Sequence, residues 1–485
     1  MSGPAPCLEE TRQLLTDHDV VAVVLELPIG DATPVGAMRA LGTEANCFLL
    51  ESVEGSGAVA RWSMLGHNPS RVISDDGQGN DPLAVLDRDV ASIAVAWAPS
   101  VSAPLLGGAV GFLTYEAAGR YERLPSAARD PLQLPRQWFA IFDTVAVFDH
   151  AQHRLLLSSC VHRDDPAGLD KGYARAVTRI DELRAAMGEA ATAPTVLAGI
   201  PVDVAAHDGE ANLSRDEFQD RVRRALEYIV AGDIFQVQVS RRFALPLAAD
   251  PFDVYVALRA INPSPYMIYI ATPECTLVGA SPEMLVQVTG QSVRYHPIAG
   301  TRRRGRTRED DERMERELRA SDKEAAEHLM LIDLGRNDLG RVCATGSVRV
   351  TQHMEVERYS HVMHLVSSIE GTLDNGCDSL DALRSCFPAG TVTGAPKIRA
   401  MEIIAELEPE VRGPYAGAIG YVGYGGDLDT AIALRTITVR DGIAYVQAAA
   451  GIVADSSVRE ETVEIDNKVA AQILAVEEAN AWARR

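Results

Sequence analysis

Three apolar runs near the C-terminus, AIGYV, AIALRTITV and AYVQAA, read as strands linked by GYGGD and RDG, segments with the glycine-rich chemistry of hairpin turns. The same habit of strand following strand occurs at TLVGA and MLVQV, while helical periodicity marks ERMERELRA, KEAAEHLMLIDL, KIRAMEIIAEL and ETVEIDNKVAAQILAVEEA. Together these predict an α+β fold with large, mainly antiparallel sheets and argue against a doubly wound parallel one. The first part of the chain mixes both types as well, with strand-like VVAVVLEL and FAIFDTVAVFD and helical YARAVTRIDELRAAM.

At 485 residues, 47% of them hydrophobic, the chain can bury a large core and should hold two domains or one oversized one. The stretch 186–213 is rich in Ala, Pro and Gly and lacks a sustained period. It marks a junction: an N-terminal α+β region over 1–190, a linker over 191–213, and a larger segment over 214–485. The restart is clear. Ser214 and Glu217 form a capping box, Phe218, Val222, Ala225, Leu226 and Ile229 follow at helical spacing, and Gly232 supplies the stop. The next segment, IFQVQVSRRF, switches to period two. Phe235, Val237 and Val239 share one face, and Gln236, Gln238 and Ser240 share the other, which suits either solvent or a pocket wall.

A formal net charge of -22 disfavours partners that need a basic footprint, both nucleic acid and anionic membrane surfaces. The run Arg302, Arg303, Arg304, Arg306 and Arg308 is followed directly by Glu309, Asp310, Asp311 and Glu312, so it reads as a self-neutralised surface. Seven scattered cysteines without CxxC spacing argue against a disulfide framework or a zinc site. No stretch approaches the roughly 20 apolar residues of a membrane span, and the N-terminus lacks the pattern of a secretion signal. A cytoplasmic location is expected.

Two glutamate pairs stand out, Glu324 with Glu327 and Glu461 with Glu464, each spaced i, i+3. On helices this spacing aligns both carboxylates on one face, where two facing helices could offer hard oxygen ligands to Mg²⁺. Such pairs are also common on solvated faces, so the spacing alone does not decide. FPAGTVTGAPK has the composition of a phosphate loop but fails its spacing, which argues against nucleotide binding. His361 and His364 in ERYSHVMH suit a core, a metal or acid–base work. LIDLGRNDLGR, with Asp333, Arg336, Asn337, Asp338 and Arg341, is expected to form a buried structural polar network. Arg435 on a predicted strand and Lys468 on the last helix could pair with substrate carboxylates.

The ordered succession GDIFQVQVSRRF, NPSPYM, GASPEML, HPIAGTRRRG, EHLMLIDLGRNDLGRV, ERYSHVMHLVSS, CFPAGTVTGAPKIRAMEIIAELEP, RGPYAGAIGY and GIVAD resembles the chorismate-utilising enzymes, most closely the large synthase subunit of anthranilate synthase. FLLESVEG near residue 50 extends the resemblance into the first region. It implies an anthranilate-synthase-like fold of orthogonally packed sheets wrapped by helices, in a Mg²⁺-dependent enzyme acting on chorismate. It further implies that Glu324, Glu327, Glu461 and Glu464 surround the Mg²⁺, that Glu283 is the acid for loss of the C4 hydroxyl, and that His364 serves pyruvate elimination. Tyr415 and Arg435 would clamp the enolpyruvyl carboxylate, Thr391 and Lys468 would orient the substrate, and Ala449 and Gly451 would border it.

Within that family, isochorismate and salicylate synthases carry a lysine base where this chain has Gln236, so a nucleophile that is already reactive, ammonia, is expected. Aminodeoxychorismate synthases often carry a nucleophilic lysine in PIKGT; Ala299 in PIAGT points instead to amination at C2. No GxCxG nucleophile motif is present, so ammonia is expected from a separate glutamine amidotransferase subunit or from solution, and an oligomer is expected. Leu50, Glu51 and Ser52 with Asn262, Pro263, Ser264, Pro265, Tyr266 and Met267 resemble a tryptophan feedback pocket, although inter-domain packing would use the same residues. Two departures matter. Ala449 stands where the family usually has glycine, and the family's EYxET becomes Glu461, Thr462, Val463, Glu464, Ile465. They motivate a rival expectation, an enzyme of secondary metabolism that stops at 2-amino-2-deoxyisochorismate. The favoured expectation is anthranilate synthase of tryptophan biosynthesis; a non-catalytic binding subunit is disfavoured because the implied site residues are all present.

Overall fold

The computed structural model describes residues 3–53, 61–75, 79, 81–187, 203–305, 307–358 and 362–484. Among them the strands pair into a twelve-stranded and a ten-stranded sheet. Every named strand pairing is antiparallel except that of Val20–Pro28 with Val95–Ala96, as the hairpin chemistry predicts.

Both sheets cross the junction in the sequence. In the larger sheet Tyr266–Ala271 pairs with Cys47–Glu51, and in the smaller one Ala418–Gly423 pairs with Gly108–Leu113. Without these partners each strand would present an unpaired edge, so the N-terminal region completes the sheets of the C-terminal segment. Of the expected linker, residues 191–202 lie outside the described residues; Val204–Glu210 forms a 3₁₀ turn. The capping box holds as read: Ser214 caps helix Arg215–Ala231, and Gly232 ends it with φ of 83°. Phe218, Val222 and Ala225 are buried, while Leu226 and Ile229 only border the core.

The run AIALRTITV, expected as one strand, is two. Leu428–Ile432 belongs to the smaller sheet and Thr436–Arg440 to the larger. Arg435 therefore does not lie on a strand as predicted; it sits in the break, with φ of 49°, a conformation a bulky side chain adopts only where surrounding structure imposes it. A second crossing at Pro282 and Glu283 leads from Thr276–Ser281 in the larger sheet to Met284–Thr289 in the smaller. The crossings are bonded side by side: the Ile432 N–H donates to the Glu283 carbonyl at 3.0 Å and Ser281 Oγ to the Ile432 carbonyl at 2.7 Å. Chains that switch sheets make corners, and this corner brings Glu283 and Arg435 to one cavity.

The polar network expected in LIDLGRNDLGR forms only in part. Asp338 is buried and accepts from Lys397 Nζ at 2.9 Å, whereas the side chains of Arg336 and Asp333, paired at 3.1 Å, are 57% and 74% exposed. On helix Asp322–Gly340 the five positions from 333 to 338 turn about 140° off a full revolution, so the two aspartates cannot share a face. The arginine-rich segment is neutralised in part as read, with Arg304 on Asp311 and Arg308 on Glu312, whereas Arg302 pairs with Glu324 outside the acidic run. All seven cysteines are free thiols. Among the described residues no helix is long and apolar enough to cross a membrane.

Candidate active site

Strand Gln236–Pro246 supplies the floor of a cavity of about 220 Å³. Its alternation puts Gln236, Gln238 and Ser240 on one face, and all three are buried, so this polar face is enclosed by protein rather than solvated. Phe235 departs from the reading: the strand begins at Gln236, and Phe235 is 73% exposed while Val237 and Val239 are fully buried. The neighbouring strand Ile443–Ile452 sets Gly451 opposite Gln238 and Ala449 opposite Ser240. A Cβ at Gly451 would lie 2.8 Å from Gln238 Nε2 and 3.1 Å from Gln236 Nε2, so glycine is what lets both amides pack there. Gln447 also lines the cavity and was not singled out from the sequence. The signal was available, because Gln447, Ala449 and Gly451 alternate onto one face.

The other walls come from distant segments: Glu283 and Arg435 at the sheet crossings, Thr391 in the turn Gly390–Val392, Tyr415, His364 in Val362–Thr372, Glu327 in Asp322–Gly340 and Lys468 in Val458–Ala483. Every residue assigned to catalysis or substrate by the resemblance lines this cavity except Gly451, which adjoins it through the two glutamines. His361 lies outside the described residues.

The electrostatics are those of a site in which burial acts on the ionisable groups. Burial pushes the Glu283 carboxyl up to about 8, with the nearby Thr391 hydroxyl and Lys468 ammonium acting in the opposite direction. It therefore holds its proton at neutral pH. His364 Nδ1 lies 3.0 Å from the Gly300 carbonyl, which can only accept, so the ring carries its proton on Nδ1 and its basic lone pair on Nε2. Burial holds the ring neutral by lowering its pKa, and the Arg435 charge acts the same way. Arg435 Nη1 donates to the Lys468 carbonyl at 2.8 Å, and Lys468 Nζ donates to the Ala449 carbonyl at 2.9 Å. The two cations are thus linked through the last helix. Gln236 Nε2 reaches Glu327 Oε1 at 3.4 Å, while Gln236 Oε1 is buried and has no hydrogen-bond partner among the described residues.

The four glutamates are drawn together less closely. Glu327 lines the cavity, Glu324 accepts from Arg302 Nη1 at 3.0 Å, Glu464 pairs with Lys468 Nζ at 2.5 Å, and Glu461 is buried on the same helix. Among the described residues no three His, Cys, Asp or Glu side chains converge as a metal cage. As a donor set, carboxylate oxygens alone fit a hard divalent cation.

A second cavity, of about 350 Å³, is lined by Leu50, Glu51, Ser52, Pro265, Tyr266 and Met267. Asn262, Pro263 and Ser264 do not line it; Asn262 ends helix Pro251–Ile261 instead. Asp429 faces this cavity, accepting from Gln287 Nε2 at 2.7 Å and the Tyr266 hydroxyl at 3.1 Å, and burial raises its carboxyl to about 6. Glu51 is held by the Tyr255 hydroxyl at 2.5 Å and by Arg259 Nε at 2.8 Å.

A family model described as chorismate binding enzyme matches residues 45–474. The chain is 50% identical over 473 residues to anthranilate synthase component 1 of Streptomyces coelicolor, an alignment covering 97% of this chain and 91% of that protein. It is 46% identical to anthranilate synthase component 1 of Thermus thermophilus, across 93% of this chain and 96% of the relative. Among solved structures, anthranilate synthase component I from Streptococcus pneumoniae matches with a TM-score of 0.75 and 36% identity, covering 86% of this chain and 92% of that one. The menaquinone-specific isochorismate synthase from Escherichia coli, at 19% identity and a TM-score of 0.71, shares the fold.

Proposed function

From a chain that belongs to the chorismate-binding enzyme family and acts on chorismate in anthranilate synthesis, we propose the following reaction: amination of chorismate at C2 by ammonia, then elimination of pyruvate to give anthranilate. The observation that carries it is the pairing, in one cavity, of a buried Glu283 that holds its proton at neutral pH with a buried Gln236 amide oxygen awaiting a donor.

Arg435 and Tyr415 bind the enolpyruvyl carboxylate, the charge of the one and the hydroxyl of the other matching an anion. Gln236 Oε1 accepts a hydrogen bond from ammonia and orients its lone pair towards C2; as an amide it has no basicity with which to activate water. Glu283 donates its proton to the departing C4 hydroxyl, which leaves as water as the C2–N bond forms; the surplus proton of the new C2 ammonium restores the Glu283 carboxyl and leaves 2-amino-2-deoxyisochorismate. His364, neutral with its lone pair on Nε2, takes the C2 proton in the second step; the C3–O bond breaks as the ring becomes aromatic, and that proton passes to the enolpyruvyl methylene carbon, releasing pyruvate. Mg²⁺ held by Glu324, Glu327, Glu461 and Glu464 would supply positive charge for the ring carboxylate. Ammonia is delivered by a separate glutamine amidotransferase subunit.

Mass spectrometry of products from the purified chain with chorismate, Mg²⁺ and an ammonium salt is expected to show anthranilate and pyruvate in equal amounts. Dialysis against EDTA should remove this activity and added Mg²⁺ restore it; full turnover after exhaustive chelation would remove the metal from the reading. Accumulation of aminodeoxyisochorismate with its enolpyruvyl group intact would replace the proposed product, and would direct attention to the Ala449 methyl at the cavity wall.

The second cavity is proposed to take tryptophan as a feedback ligand, since its apolar lining from Leu50 and Met267 and the half-buried Asp429 carboxylate match an indole side chain and an α-ammonium. Tryptophan should inhibit chorismate consumption, and Ser52→Phe, which fills the cavity, should raise the inhibitory concentration at least tenfold. Equal inhibition of both forms would place the effect elsewhere.

A further inference from the structure

Strand Gln236–Pro246 has an edge problem next to the cavity. The short strand Gly394–Ala395 pairs only with Gln236 and Val237, and the ladder on that side then stops. The Gln238 N–H still finds the Thr393 carbonyl at 2.9 Å, but the Gln238 carbonyl and the Ser240 N–H, which project on that same side, have no strand to meet. A side-chain ion pair meets them. Arg412 Nη2 donates to the Gln238 carbonyl at 2.8 Å, and Glu408 Oε1 accepts from the Ser240 N–H at 2.8 Å. Arg412 and Glu408 are joined by two bonds, Nε to Oε2 at 2.9 Å and Nη2 to Oε1 at 2.7 Å.

The guanidinium reaches further. Nη1 donates to the Val392 carbonyl at 2.7 Å, the residue after Thr391, and the group lies over the Tyr115 ring at 4.6 Å and 5.9 Å from the Tyr415 ring centroid. Ser240 Oγ in turn accepts from Gln447 Nε2 at 2.8 Å. Gln238, Val392, Tyr415 and Gln447 all line the catalytic cavity, whereas Arg412 and Glu408 do not; they line a separate cavity of about 140 Å³ on the other side.

We propose that the Arg412–Glu408 pair is a positioning device for the reaction: a side-chain substitute for a strand edge that holds the Gln236–Ser240 segment, the Thr391 turn and Tyr415 in register behind the reacting face. Stability alone is a poor reason for the pair, because a buried ion pair gains little over a well-packed apolar one. A planar fork that serves two main-chain carbonyls and a carboxylate together has a geometric reason, and lysine, a point donor, cannot copy it. The proposal rests on the site as read above.

The test is Arg412→Met with Glu408→Gln, in which the amide oxygen introduced at position 408 still accepts from the Ser240 N–H, together with Arg412→Lys and Arg412→Ala. The rate is followed as chorismate consumed, which is independent of the product formed, and products are identified separately, so an error in the proposed reaction leaves this test standing. The expected result is a fall in kcat of about ten- to a hundredfold with KM for chorismate within about threefold, since misplacement of a supporting group by about 1 Å can cost 10²-fold. Methylguanidinium, entering through the cavity that Arg412 itself lines, should restore part of the kcat of Arg412→Ala, and Arg412→Lys should stay impaired. Wild-type kcat in the folded double variant, or losses that only track the unfolded fraction, would overturn the proposal. If the Arg412 variants do not fold, Glu408→Gln alone carries the same expectation for kcat and KM, and a wild-type rate there overturns it.

Discussion

Glu283→Gln is expected to lower turnover by about 10²–10⁴-fold, the usual contribution of a positioned general acid, while chorismate still binds. The amide keeps the shape and removes only the proton. Because burial holds the Glu283 carboxyl near 8, well above the ordinary glutamate value of 4.5, the acid form is present through neutral pH, and the rate in wild type should fall as pH rises through about 8. The variant should lose that upper limb. Stability offers an independent check with a definite sign. Between pH 4.5 and about 8 the folded chain holds the Glu283 proton and the unfolded chain has released it, so folding weakens as pH rises across that window. Glutamine carries no such burden. The melting temperature of Glu283→Gln relative to wild type should therefore climb from pH 5 to pH 8 and level off above; a difference that does not change with pH would mean that the carboxyl is not held protonated.

The second large effect is expected at Arg435. Replacing it by Gln, similar in length but uncharged, should lower kcat/KM for chorismate by about 10²–10⁴-fold, corresponding to the loss of two charge-assisted hydrogen bonds of about 1.5–3 kcal/mol each. The loss should appear mainly in KM, because the enolpyruvyl carboxylate is bound both before and during the chemistry. The position matters as much as the charge. Arg435 stands at the crossing between the two sheets with φ of 49° and is tied by Nη1 to the Lys468 carbonyl, so its aim is set by the corner and the last helix together. Chorismate titration of the Arg435→Gln protein, followed by initial rates, decides the matter: an unchanged KM would remove Arg435 from the carboxylate site.

Much of this was legible in the residues. Hairpin punctuation announced antiparallel sheets; Ser214, Glu217 and Gly232 placed a helix to the residue; and the ordered motifs pointed to Glu283, His364, Tyr415 and Lys468, all of which the cavity gathers. What was misread was misread for physical reasons. AIALRTITV is a run of strand-forming residues with a single charge at Arg435, and nothing in the local chemistry shows that Arg435 must leave the strand so that the chain can change sheets. Phe235 looks apolar enough to share a face with Val237, but the pairing that would bury it begins one residue later. Asp333 and Asp338 read alike, and only the packing of their helix exposes one and buries the other.

Local order, then, belongs to the sequence, because periodicity, caps and turn residues act over a few neighbours and need no partner from afar. The site belongs to the tertiary structure. Glu283 gains its raised pKa only where two crossings enclose it, Gln236 and Gln238 become a cavity floor only when other segments cover that face, and Arg412 finds the Gln238 carbonyl 174 residues away. Burial and long-range hydrogen bonding depend on which segments meet, and that is decided by the packing of the whole chain.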